Sequence, residues 1–84
     1  MESIILEKVK TTEKIMKMIE IENVLCFETD RKTTKEQIKN EVEKLFDVKV
    51  DKVRTMIRKN KKTAYVKLKP EFNASDIATK LGII

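Results

Sequence analysis

The sequence predicts an α+β fold: a small antiparallel sheet of three to four strands packed with three helices, in the order β-α-β-α-β-β-α. Three observations point there. A capping signal at Thr33–Gln37 precedes apolar residues at helical spacing. Two stretches of alternating apolar and polar residues, Val53–Ile57 and Ala64–Leu68, flank a short polar turn and read as a hairpin. The run Val24-Leu25-Cys26-Phe27 is apolar on both faces of an extended chain, which suits an interior strand.

The elements follow in order. Ser3–Val9, with Ile4, Ile5 and Leu6, reads as a first strand. Thr11 or Thr12 offers an N-cap for a helix whose apolar stripe is Ile15, Met16, Met18 and Ile19. Asn23–Thr29 is the second strand. The second helix starts at Thr33 paired with Glu36, or Thr34 paired with Gln37, and carries Ile38, Val42, Leu45 and Phe46 on one stripe. Its other face, with Lys35, Glu36, Lys39, Glu41, Glu43 and Lys44, is solvated. In the hairpin, a turn over Arg58–Lys62 leaves Val53, Thr55, Ile57, Ala64, Val66 and Leu68 facing the helices. Lys52, Arg54, Met56, Arg58, Thr63, Tyr65, Lys67 and Lys69 fall on the opposite face. Asn60 suits the positive φ of a tight turn. Asn73 is the N-cap of a last helix running through Asp76, Ile77, Ala78 and Leu81 to Gly82, with Ile83 and Ile84 closing the core.

A chain of 84 residues is expected to form one domain, spanning 1–84, that buries about 60% of its unfolded surface. No repeat or linker interrupts it. No apolar run approaches the roughly 18 residues of a membrane span, and Met1-Glu2-Ser3 opens no secretory leader, so no membrane insertion and a cytoplasmic location are expected. Histidine is absent and Cys26 is the one thiol, which removes the usual general base and the usual metal-ligand sets. Neither metal nor cofactor is expected, and catalysis is disfavoured.

Charge distribution carries the functional reading. The net charge is +5, yet Lys49–Lys69 alone holds nine cations against Asp51. Such a local positive field attracts phosphate. Arg can grip phosphate through two parallel hydrogen bonds, Lys releases condensed counterions, and Tyr65 can stack on an unpaired base or pack against lysine stems. RNA is favoured over DNA because no helix has the basic face that major-groove entry needs. Phosphate contacts are assigned chiefly to Arg54, Arg58, Lys59, Lys61, Lys62 and Lys67. Two other readings stay open: a free single-strand RNA binder with a single aromatic on its basic face, and a protein-interaction module meeting an acidic partner through the basic hairpin. A phosphohydrolase of acylphosphatase type would need a glycine-containing phosphate loop, and the only glycine is Gly82.

"TEK" at Thr12–Lys14, "TTKEQIKNEVEKLFDVKVDKVRTMI" from Thr33, "AYVKL" from Ala64 and "DIATKLGII" at the end occur in an order that resembles the universal large-subunit ribosomal protein of the L-twenty-three family, in its short archaeal or eukaryotic form. The resemblance implies a four-stranded antiparallel sheet with helices. It also implies a primary rRNA binder near the polypeptide exit tunnel, beside the ribosomal protein of the L-twenty-nine family. There it helps form the platform for signal recognition particle or other nascent-chain factors; no obligate homo-oligomer is expected. By position, rRNA contact is implied for Lys8, Lys10, Thr12 and Lys14, for Arg31, Lys32, Thr34 and Lys35, and for Arg54, Thr55 and the stretch through Arg58, Lys59, Asn60, Lys61 and Lys62, joined by Tyr65 and Lys67. Glu13 matches an acidic factor-docking residue. Three departures stand out. Val9 occupies a position where the family usually has proline, Thr63 replaces a second basic residue before "AYV", and the hairpin is too short for a tunnel-lining tip.

Overall fold

The computed structural model of the chain describes residues 6–9 and 12–80. A four-stranded antiparallel sheet has the order β1-β2-β4-β3, built from β1 (Leu6–Val9), β2 (Val24–Asp30), β3 (Val50–Arg58) and β4 (Lys61–Leu68). Three helices complete it: α1 (Glu13–Lys17), which continues as a π-helical turn over Met18–Glu22, α2 (Lys35–Phe46) and α3 (Ala74–Lys80). The predicted class, element order and interior place of β2 are all present. Ser3–Ile5 of the expected first strand, and Leu81, Gly82, Ile83 and Ile84 of the expected last element, lie outside the described residues.

Local chemistry sets each helix start. The Ile15 N–H donates to Thr12 Oγ1 at 3.2 Å, so Thr12 rather than Thr11 is the cap of α1. At α2 the box is Thr34 with Gln37: the Gln37 N–H donates to Thr34 Oγ1 at 3.1 Å, and the Thr34 N–H donates back to Gln37 Oε1 at 2.9 Å. Asn73 caps α3, its Oδ1 accepting from the Ser75 N–H at 2.8 Å. The chain takes left-handed φ at Asn23, Asp47, Lys59 and Asn60. Asn23 and Asp47 end α1 and α2 in the role glycine usually fills. Asn23 therefore closes a helix instead of opening β2.

The core lies between the sheet and its helices. Ile38 and Val42 of α2 pack with Leu25, Phe27, Ala64, Val66 and Leu68, and the Phe46 ring stacks on Phe27 with centroids 6.2 Å apart. Leu45 stays 37% exposed, because it lies near the helix end where Phe46 has taken the core position. Ile57, expected against the helices, is 61% exposed at the end of the edge strand, outside the strip that α2 covers. A bulge at Asp51 shifts the register between Val50↔Leu68 and Lys52↔Lys67. That extra residue lets Val50 and Val53, three apart, share the apolar face.

One polar side chain joins three elements. Asn23 Nδ2 donates to the carbonyl of Leu68 at 3.2 Å and of Phe72 at 2.9 Å, while its Oδ1 accepts from the Ala74 N–H at 2.7 Å. It thereby ties the end of α1 to the β4–α3 connection, where α3 packs against the π-helical turn and β2. At the opposite end of the sheet, the Lys62 ammonium donates to the Thr33 carbonyl, and Thr29 Oγ1 donates to Thr33 Oγ1 at 3.1 Å.

Candidate nucleic-acid interface

The turn of the hairpin is only Lys59-Asn60, with φ of 49° and 66°. Two consecutive left-handed residues make the type I′ turn whose twist matches that of the flanking strands. Arg58, Lys61 and Lys62, expected in a looser five-residue turn, are therefore strand residues with fixed facing. Register then decides their roles. Lys52↔Lys67, Arg54↔Tyr65, Met56↔Thr63 and Arg58↔Lys61 stand directly opposite one another on one face. Val53↔Val66, Thr55↔Ala64 and Ile57↔Lys62 share the other.

Lys62, expected in the turn, instead lies within β4 on the other face. It is half-buried on the α2 side and bonded to Thr33, so it braces the β2–α2 loop instead of joining the cations at the tip. Lys69 lies past the end of β4, its N–H bonded to the Lys49 carbonyl, and so leaves the strand face. Thr55, half-buried, alternates to the α2 side. What remains is a cationic face of Lys52, Arg54, Arg58, Lys61 and Lys67, extended by Lys59 at the turn and containing the half-buried Tyr65 ring. The Arg54 guanidinium lies 5.8 Å from the centroid of that ring.

The β2–α2 loop reaches the same end of the sheet, since Asp30 pairs with Lys61. A turn in which the Lys32 N–H donates to Asp30 Oδ1 at 2.9 Å leaves Arg31 and Lys32 exposed beside the hairpin, followed by Thr34 and Lys35 at the start of α2. Lys8 stands opposite Glu28 in the β1–β2 register, and Lys10 lies outside the described residues.

The cationic face is not open along its whole width. Val24 and Cys26 point to that side, yet Cys26 is 1% exposed, so something covers the β2 half. The cover is α1 and its π-helical turn, which stand beside the strands and leave a groove of about 850 Å³. Thr12, Lys14, Ile15, Lys17, Met18, Ile21 and Glu22 form one wall; Arg54, Thr55, Met56, Arg58 and Tyr65 form the other. Thr12 and Lys14 thus join the hairpin cations, while Glu13 is exposed and lies outside the groove. Sequence reasoning missed Lys17, Met18, Ile21 and Glu22. Their i, i+4 repeat, running beside the buried Ile15 and Ile19, was the available signal.

Among the described residues no helix is long and apolar enough to cross a membrane, and no group of three or more Cys, Asp or Glu could hold a metal ion. The family description "Ribosomal protein L23" matches residues 3–77. The chain is also 52% identical over 73 residues to the "Large ribosomal subunit protein uL23" of Methanococcus aeolicus, covering 86% of this chain and 85% of that protein. The chain belongs to the ribosomal protein L23 family, and its role is that of a structural component of the large ribosomal subunit, not an enzyme.

Proposed function

We propose that the chain, acting as one domain over 1–84, binds large-subunit rRNA through the β3–β4 cationic face and the Arg31–Lys35 segment, in the cytoplasm and near the polypeptide exit tunnel. One observation carries this reading. Lys52 faces Lys67 and Arg58 faces Lys61 directly across the hairpin, and although Asp30 stands on the other side of Lys61 and Glu28 lies beside Arg58 and Lys59, cations outnumber carboxylates on this face. Like charges opposed in this way destabilise a sheet, and a polyanion laid across them turns each repulsion into an attraction. Arg54, Arg58, Lys59, Lys61, Lys52 and Lys67 supply the phosphate contacts in this reading. Thr12 and Lys14 flank them, and Asn60 holds the turn. With its two-residue turn the hairpin presents a blunt tip at the ribosomal surface, without a tunnel-lining extension.

Glu13, exposed at the start of α1 and outside the cationic groove, is proposed as a docking point for signal recognition particle or another nascent-chain factor. The ribosomal protein of the L-twenty-nine family is the proposed neighbour.

Replacing Arg54, Arg58, Lys59 and Lys61 together by Gln tests the rRNA assignment. Binding of the purified protein to large-subunit rRNA, titrated with salt against an equal mass of unrelated structured RNA, is expected to lose about 3 to 4 from the slope of log K against log salt. An unchanged slope, or equal loss of wild-type binding to either RNA, would overturn the assignment.

A further inference from the structure

We infer that the groove between α1 and the hairpin receives a single unstacked nucleotide of the bound RNA, so that this protein recognises a flipped-out base in addition to backbone phosphates. The inference rests on the rRNA-binding reading and deepens it. Phosphate contact alone needs cations but no apolar cleft among them. Here the surface is indented, with about 850 Å³ of open space beside Tyr65, within the roughly 300–1,000 Å³ of small-molecule sites.

The lining is sorted as a nucleotide would require. Met18, Ile21, Met56 and Tyr65 form an apolar cleft, and two of them are conspicuously uncovered: Ile21 is 79% and Met56 50% exposed. Lys14, Lys17, Arg54 and Arg58 border that cleft, against the single acid Glu22. An apolar slot ringed by four cations is complementary to a base that carries its own phosphates, and mismatched to a neutral or acidic-free apolar segment. Arg54 over Tyr65 adds a planar cation beside an aromatic ring, and bases stack on both. Glu22 can accept a hydrogen bond from an exocyclic amine on the Watson–Crick edge of an unpaired base or from a ribose 2′-hydroxyl. A duplex has no protruding group to enter the cleft, whereas an unpaired nucleotide does.

The test uses the full chain, large-subunit rRNA as the bound species, and two competitors: an unpaired oligoribonucleotide and a blunt RNA duplex of equal charge. Tyr65→Leu is expected to weaken rRNA binding about tenfold with the salt slope unchanged, and Tyr65→Phe to restore it. Because Tyr65 also touches the core, Ile21→Ser and Met56→Ser, which add no charge, provide a second pair at exposed positions, with the same direction of effect expected. The unpaired oligonucleotide should compete better than the duplex for the wild type, and no better for Tyr65→Leu. If Tyr65→Leu, Ile21→Ser and Met56→Ser all bind as tightly as wild type while the four-cation variant loses affinity, the groove is empty of RNA and only the phosphate reading stands. If the duplex competes as well as the oligonucleotide, the flipped nucleotide is likewise overturned. If the four-cation variant is also unimpaired, the rRNA reading itself has failed.

Discussion

The two faces of β3 and β4 share one set of backbone hydrogen bonds and differ in almost everything else. On the α2 side, Val53, Val66 and Ala64 meet Leu25, Phe27 and the α2 stripe, and burial does the stabilising. On the other side, like charges oppose each other and the Tyr65 ring lies under Arg54. The first face is complete within the chain. The second buries Thr63 and part of Tyr65, and its remaining residues have the composition of a surface made for a polyanion. Adjacent residues of a single strand can thus serve stability and recognition separately, because the side-chain period of two sends them to different environments.

The sharpest way to break that division is Phe27→Ala. Phe27 is 1% exposed and stacked on Phe46, and its loss should cost about 3–5 kcal/mol in urea unfolding. The salt slope of rRNA binding by the remaining folded protein should stay the same. A cost under about 1 kcal/mol would show that the α2 face does not dominate stability. Next comes Asn23→Ala, which removes the bonds to Leu68, Phe72 and Ala74 and puts alanine at a φ of 61°. About 2 kcal/mol of stability should go. Hydrogen exchange should show α3 opening before the hairpin does; loss of protection in the hairpin first would contradict the joint assigned to Asn23. The smallest effect is expected at the tip. Lys59→Gly relieves a left-handed lysine, so thermal unfolding should show a gain of about 0.5 kcal/mol, while the salt slope falls by up to about 0.9. A loss of stability would contradict the two-residue turn.

Much of the fold was legible because it is written in short-range chemistry. Thr34 with Gln37, Asn73 with Ser75, and the run Val24–Phe27 each involve residues within four positions of one another. The misplacements share a different origin. Ile57 and Leu45 are apolar residues at the correct period, yet the elements that would bury them end or diverge before reaching them. Lys62 reads as a tip cation until the register turns it toward Thr33, twenty-nine residues earlier in the chain. With the only glycine at Gly82, the left-handed turns at Asn23, Asp47 and Lys59 carried no glycine to announce them. The cationic residues of the candidate interface were visible in composition, whereas the groove beside them was not.

By itself, then, the sequence determined the α+β class, the one or two residues able to cap each helix, the alternation of the strands and the concentration of cations between Lys49 and Lys69. All of these depend on neighbours along the chain. Tertiary structure decided which cations share a face, which lysine is spent on bracing a loop, and that α1 stands beside the hairpin to enclose Tyr65 in a groove. Those outcomes depend on bulge, turn and register, where one residue more or less reverses a side chain's facing, and on packing between elements far apart in sequence.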